Sequence, residues 1–412
     1  MPVDVHRVDD IAATAASIYR EAETALLRML ARRLATGLDA SDWARKKLAE
    51  TSALRQAAQA IVTALVSTGS RDLRATVAAA YRAGRADAIA ELAQHMFPAS
   101  GLAAPARITE HLVAARARSV QALADAIVRE LEPVHSAILP QAMSLYRQAI
   151  AGATARHITG AASRRQAAQA AWARLSDKGV TGFTDVRGHR WRLHTYVEMA
   201  TRTAALRAAL TGQVDEFTAH GVRLVSVDDV AGECEMCRPW ERKILALTGS
   251  AGTVTEVHAR DGRPVTVEVA ATLTDAMAAG LFHPNCRHTM REYRPGVSRL
   301  AAAKPDPEGD AARQRQRYLE RGIRAWRERE AAALTDAARR VAAAKVRAWD
   351  TALGEHTAAH DLQRIRYREQ IGAGHVPTRG RVDDLAAELG VPDQATLDGG
   401  WAPPPRTPRR RK

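Results

Sequence analysis

The sequence predicts an α+β fold that is mostly α. Its parts are an N-terminal helical region, a small metal-knuckle-like β-containing domain, a long C-terminal helix and a disordered basic tail. Three observations carry this prediction. Apolar residues recur at helical spacing through most of the 412 residues. All three cysteines fall between positions 234 and 286, in a C-x-x-C and an H-x-x-C pair. Short alternating runs of strand character fill the interval between those pairs. The implied divisions are a helical region (1–175), a core with a Cys/His knob (176–300), a linker (301–311), C-terminal helices (312–390) and a tail (391–412).

Residues 8–175 read as consecutive amphipathic helices. Ile11, Ile18, Leu26, Leu30 and Leu34 share one face, as do Leu54, Ile61 and Leu65, then Leu73, Val77, Tyr81, Ile89, Leu92 and Met96. Phe97-Pro98-Ala99-Ser100-Gly101 breaks the run. Helical spacing resumes at Val120 and again at Met143, with Pro133 and Pro140 punctuating the segments. Aromatic residues make up only 4% while alanine abounds, so these cores must be helix on helix with close backbone approach. Tyr81 and Tyr146 read as core. A small hairpin is expected around 182–191. A long helix follows, with Leu193, Val197, Ala200, Ala204, Leu210, Val214 and Phe217 on one face and Gly221 at its end. His189, Arg190, Arg192 and His194 read as a solvated cluster.

The knob carries the most specific signal. Strands are expected at 223–227, 243–247, 254–258 and 265–269, the last two joined at Asp261-Gly262. A short helix at 275–279, closed by Gly280, delivers the second ligand turn, and 289–293 returns as a strand. Cys234, Cys237, His283 and Cys286 are the thiolate and imidazole ligands that tetrahedral zinc prefers, with His288 as an alternative imidazole. The separation of the pairs, residues 238–282, exceeds the usual finger spacing. Two other readings stay open: a redox pair, which lacks a surrounding βαβ pattern, and cysteines that are simply small buried apolar residues. A structural zinc would offset the thin core of so small a sheet and leaves no obvious open coordination site.

After the linker, residues 312–351 read as one long helix with Leu319, Ile323, Trp326, Leu334, Val341, Val346 and Trp349 as a drifting apolar stripe that runs on to Leu353. The drift argues for packing on the same chain or a neighbour and against a strict coiled coil. Arg315, Arg317, Arg321, Arg324 and Arg327 have two readings, contact with DNA phosphates or, the favoured one, a solvated face paired with Glu320, Glu328 and Glu330. Gly372-Ala373-Gly374 leads to a short helix at 383–389. In the tail, Arg406, Arg409, Arg410, Arg411 and Lys412 are the candidate nucleic-acid-binding residues.

A formal net charge of +14 and a pI near 10.3 point to a polyanion or an acidic protein surface as partner, with no sequence-specific reading implied. No apolar run approaches membrane-span length, and the N-terminus lacks a signal-peptide core, so synthesis in a reducing cytoplasm is expected. Phosphate-loop and dinucleotide glycine motifs are absent, and the Cys/His order is wrong for a deaminase. The alternatives to a structural protein are a zinc-supported DNA nuclease, which would draw on His258, Asp261 and Asn285, or a DNA-binding protein.

The order of residues has a familiar counterpart. Gly188, Trp191, Tyr196, Met199, Arg202 and Thr203 come first, then Gly221-Val222-x-Leu224-Val225 and Cys234-x-x-Cys237-x-Pro239-Trp240. Gly280-Leu281-x-His283-Pro284-Asn285-Cys286-Arg287-His288 completes the pattern. Together they resemble the phage minor capsid, or MuF-like head-morphogenesis, family. The likeness continues through Gln314, Gln316, Arg317, Tyr318, Leu319, Glu320, Arg321, Ile323, Arg324 and Trp326, covering roughly residues 175–370. Arg242 departs from it, standing where the family pattern has a glycine. The resemblance implies a structural minor capsid protein of a tailed bacteriophage, low in copy, portal-associated and located in the virion head. The implied role is head assembly, with DNA packaging or ejection as a further role left open. Implied partners are the portal and major capsid proteins, with packaged DNA as an option and no membrane or small-molecule substrate. No catalytic residues carry over.

Overall fold

Alanine and arginine are the commonest residues in the first half of the chain, and both favour helix. The computed structural model describes residues 3–96, 110–160, 162–176, 183–184 and 190–371. Its α+β, mostly α class is the one the sequence predicts. Helix α1 (Val5–Ala35) starts at Asp4, whose carboxylate accepts from the His6 and Arg7 amides. It is followed by α2 (Trp43–Ala49), α3 (Thr51–Met96), α4 (Glu110–Ile158) and α5 (Arg164–Ser176). A two-strand hairpin, β1 (Phe183–Thr184) with β2 (Arg190–Trp191), then leads into α6 (Leu193–Ala219).

The crossing of α3 and α6 is set by two glycines. A Cβ on Gly84 would lie 1.8 Å from the Ala209 carbonyl oxygen, and one on Gly212 would lie 2.3 Å from that of Tyr81. Ala80, Ala88, Ala205 and Ala208 are fully buried around the crossing. Tyr81 and Tyr146 are core, as expected, and the Tyr81 hydroxyl donates to Asp215 at 2.7 Å. Pro133 and Pro140 do not separate segments: both lie inside α4. Each proline deletes a ladder hydrogen bond, but buried Leu131, Val134, Ile138 and Ala142 hold the helix on either side.

The second half is built on a four-stranded sheet. Strands β3 (Leu224–Val227), β4 (Ile244–Ala246), β7 (Ala271–Thr272) and β8 (Met290–Glu292) lie in the order β7-β4-β3-β8. The register pairs Val225 with both Leu245 and Glu292. Alternation assigns the two faces: Val225, Val227, Leu245 and Met290 join the core of the helices, while Leu224 and Ala246 turn the other way. That outer face is covered by the hairpin β5 (Gly252–Val257) and β6 (Pro264–Val269), through Val267 and Val269. Helix α7 (Leu273–Ala278) precedes the turn that leads to β8.

The single helix expected at 312–351 is in fact two, α8 (Pro307–Ala331) and α9 (Asp336–Ala359). Thr335 adopts extended backbone and caps α9 by accepting from the Ala338 amide. The drift of the apolar stripe is explained by this reversal. Leu319, Ile323 and Leu353 meet between the two helices, and the Trp349 ring rests where a Cβ on Gly322 would lie only 2.1 Å from it. The chain then returns to α1, where Arg368 pairs with Asp9 at 3.0 Å. Among the described residues, no helix is long and apolar enough to cross a membrane. The expected break at 97–101 and the short helix at 383–389 lie outside the described residues.

Candidate metal centre

Two tight turns at one end of the sheet build the site. The first follows the central strand β3. The amides of Cys237 and Arg238 both donate to the Cys234 carbonyl, at 3.2 and 3.0 Å, which folds the C-x-x-C pair into a knuckle. The second runs from His283 to Cys286, whose amide donates to the His283 carbonyl at 2.9 Å. Proline in its second position and Asn285 at φ 67° in its third are the requirements of a type II turn. Because β8 pairs with β3, with Val227 opposite Met290, the two turns face each other.

Five donors converge there. Cys234 Sγ lies 2.8 Å from His283 Nε2, Cys237 Sγ lies 3.4 Å from Cys286 Sγ, and Cys286 Sγ lies 3.5 Å from His288 Nδ1. They form two overlapping triads, Cys234–Cys237–His283 and Cys237–Cys286–His288, in which all ligand atoms lie within 4.8 Å of one another. Bond lengths of about 2.3 Å to sulfur and about 2.05 Å to nitrogen give tetrahedral edges of about 3.8 Å (S to S) and about 3.6 Å (S to N). The Cys237–Cys286 and Cys286–His288 contacts are close to those edges. The Cys234–His283 contact is shorter and has the length of a hydrogen bond. All three cysteines are free thiols, and Cys237, Cys286 and His288 are buried while Cys234 and His283 are half-buried. The residues present therefore fit a soft, closed metal site by number, type and spacing.

Electrostatics sort the thiols. Donation to Cys286, with burial adding, pushes the Cys237 thiol up; acceptance from Cys237 pulls Cys286 down against its burial. Burial raises Cys234. Burial alone would lower the His288 imidazole, but hydrogen bonds to Cys237 and Glu241 outweigh it and raise it. The Glu241 carboxylate, itself buried, sits 2.8 Å from His288 Nε2 and also accepts from the Val230 amide at 2.9 Å. This brace leaves Nδ1 directed at Cys286, the arrangement that orients metal-bound histidines. His283 is held more locally, with Nδ1 2.8 Å from the Pro284 carbonyl. The sequence offered no signal for Glu241, which is far from His288 along the chain.

Helix α8 closes the other side. Glu233 is 1% exposed; it pairs with Arg238 at 2.6 Å and accepts from the Asp306 amide at 2.9 Å. Arg242 adopts φ 61°, in the left-handed region that glycine enters most readily. The turn forms nonetheless, with the Arg242 amide donating to the Val227 carbonyl at 3.0 Å; the strain costs roughly 1–2 kcal/mol.

Two surface expectations are corrected. His194 is 4% exposed and bonds to Glu23 at 2.6 Å, and Arg192 pairs with Glu328. The side chains of His189 and Arg190 lie outside the described residues. Nor do all the α8 arginines form a solvated face. Arg324 pairs with Glu198 of α6 at 3.1 Å, and Arg327 donates to the Glu369 carbonyl at 2.9 Å. Glu198 also meets Arg202 at 3.0 Å, and Arg202 reaches Asp9 at 3.0 Å. Burial opposes ionisation of Glu198, but Arg324, Arg202, Arg20 and Arg368 outweigh it and hold its carboxyl well below the usual range. Periodicity could not find this network, because its partners come from four separate segments.

His258 pairs with Asp261 at 2.9 Å at the β5–β6 turn, whereas Asn285 lies in the ligand turn and accepts from Arg202 at 3.5 Å. Arg406, Arg409, Arg410, Arg411 and Lys412 lie outside the described residues. A family model described as phage minor capsid protein 2 matches residues 3–358. Comparison with curated proteins and with solved structures gives no significant match.

Proposed function

Since the chain belongs to the phage minor capsid protein 2 family, we propose that it is a low-copy, portal-associated component of a tailed-phage head whose knob is stapled by one structural zinc. The family supplies the structural capsid role. What supports the staple is a single observation: thiol and imidazole donors from two turns far apart in sequence converge in two triads that share Cys237.

Cys234, Cys237 and Cys286 would supply three corners. The sequence pattern puts His283 at the fourth; the geometry favours His288, which is buried, braced by Glu241 and at tetrahedral distance from Cys286. A bound zinc would cross-link the two turns. The protein's own part is to deliver the thiols on rigid turns, orient the imidazole through Glu241 and cover the cluster with α8. In this reading the head-assembly partners are the portal and major capsid proteins. The basic residues Arg406, Arg409, Arg410, Arg411 and Lys412 add electrostatic attraction to packaged DNA.

The test is to co-express the protein with its neighbouring structural genes, isolate heads by sedimentation and quantify this chain by mass spectrometry. A few copies per head are expected. Absence from both immature and mature heads contradicts the proposal.

A further inference from the structure

The ligand turns, α6 and α8 enclose a cavity of about 390 Å³, within the range of small-molecule sites. Six arginines line it: Arg202, Arg287, Arg313, Arg317, Arg321 and Arg324. Four carboxylates oppose them, Glu198, Glu233, Asp310 and Glu320, so positive charge is in excess. Glu198 is shared by Arg202 and Arg324, and Glu233 is taken by Arg238. Glu320 meets Arg317 at 3.4 Å. Among the described residues, Arg287, Arg313 and Arg321 make no ion pair with a carboxylate.

Arg313 is the most telling of the three. Its Nη2 is buried against Gly232 with no hydrogen-bond partner, which fixes the guanidinium and leaves Nε and Nη1 as the donors toward the cavity. The guanidinium sits against Gly232, at φ 64°, where a Cβ would lie only 1.9 Å from that nitrogen. Any larger residue at 232 would displace it. Assembling guanidinium groups in a half-enclosed space is unfavourable without a counter-ion: burial, together with Arg368 and Arg202, pulls Arg317 down to about 10.

We propose that this cavity is a phosphate-binding site, with Arg287, Arg313 and Arg321 as the receiving groups. Guanidinium forks match phosphate oxygens, and a tetrahedral oxygen array accepts from arginines that approach from both a turn and a helix. A planar carboxylate offers acceptors in one plane only. The phosphate could belong to a free phosphate or small ester, or to a nucleic-acid strand threading one group into the cavity. The inference does not depend on the capsid assignment.

The experiment is isothermal titration of the full chain as purified with sodium phosphate, with sodium acetate at equal ionic strength as control. The expected result is saturable phosphate binding that weakens at least tenfold in Arg287→Gln/Arg313→Gln, while zinc content and far-UV circular dichroism stay unchanged. If that double variant does not fold, Arg321→Gln, at an exposed position, is expected to weaken binding several-fold. A dinucleotide with and without a 5′-phosphate separates the sources. Preference for the phosphorylated form indicates a terminal phosphate, and equal binding that is still lost in the variant indicates a backbone phosphodiester. No saturable binding of any phosphate probe, binding undiminished in the variants, or equal binding of acetate would overturn the proposal.

Discussion

At the α3–α6 crossing, Gly84 and Gly212 let two helix backbones meet, and Ala80, Ala88, Ala205 and Ala208 fill what space remains. In the knob, the strands of the four-stranded sheet are two to four residues long, and the ligand turns meet through sulfur and imidazole. In neither region is the closest approach made by a large apolar side chain. The helical body compensates by bringing backbones together over a long interface, where many weak dispersion contacts accumulate. In the proposed reading, the turn end of the knob is instead ordered by a few specific donors around one zinc. The first solution would fail by steric intrusion and the second by loss of a ligand.

The largest expected effect breaks the helical side. Gly84→Leu drives a side chain into the Ala209 carbonyl, so the penalty should exceed the usual ~1–3 kcal/mol of over-packing and abolish cooperative folding of the body. Calorimetry showing an unchanged melting transition would refute the close crossing.

Next is the junction between the regions, where Glu198 of α6 answers Arg324 of α8. Glu198→Gln takes from the buried Arg324 guanidinium its carboxylate partner and should cost about 3–5 kcal/mol at neutral pH. The sign of its pH dependence follows from the depressed carboxyl. Its stabilisation is fully present above the unfolded value of about 4.3 and is lost as pH falls toward the folded value. Urea titrations at neutral and acid pH should therefore show wild type and variant converging as pH falls; a constant gap would count against the pairing.

A smaller effect sharpens the knob side. His288→Ala should lower zinc affinity about 10–100-fold or more, and Glu241→Gln should act in the same direction through His288. His283→Ala should change affinity less. The reverse order in a competition assay with a chromophoric chelator would restore His283 as the fourth ligand. Smallest of all, Glu292→Gln should stabilise the contact of β8 with α3 at neutral pH, by about 1 kcal/mol or less. Burial raises the Glu292 carboxyl, with neighbouring Glu91 adding, so the folded state disfavours its charge. A stability loss on that substitution would argue that the charge is needed.

Much of this architecture is legible in the sequence because it is local. Strand alternation, the Asp261-Gly262 turn and the helix faces depend on neighbours a few residues away. The Pro284-Asn285 turn and the Cys/His positions that meet at the knob were readable for the same reason, as residue types at short spacing. What was hidden depends on partners distant in sequence. Glu241 bracing His288, Glu198 gathering arginines and the burial of His194 against Glu23 are tertiary facts with no periodic signature. The α8–α9 reversal at Thr335 was masked because both helices are rich in alanine and arginine, and a Thr-Asp pair is a modest breaker. Pro133 and Pro140 misled in the opposite sense, since burial on both sides outweighed the lost ladder bonds.

The decisive measurement is hydrogen exchange by mass spectrometry on the full chain before and after chelation, paired with metal analysis of the purified protein. The stapled knob predicts about one zinc per chain. It also predicts that chelation, like Cys237→Ser, raises exchange across residues 221–296 while α1, α3 and α6 stay protected. Metal-free protein with the same protection in that segment would contradict it.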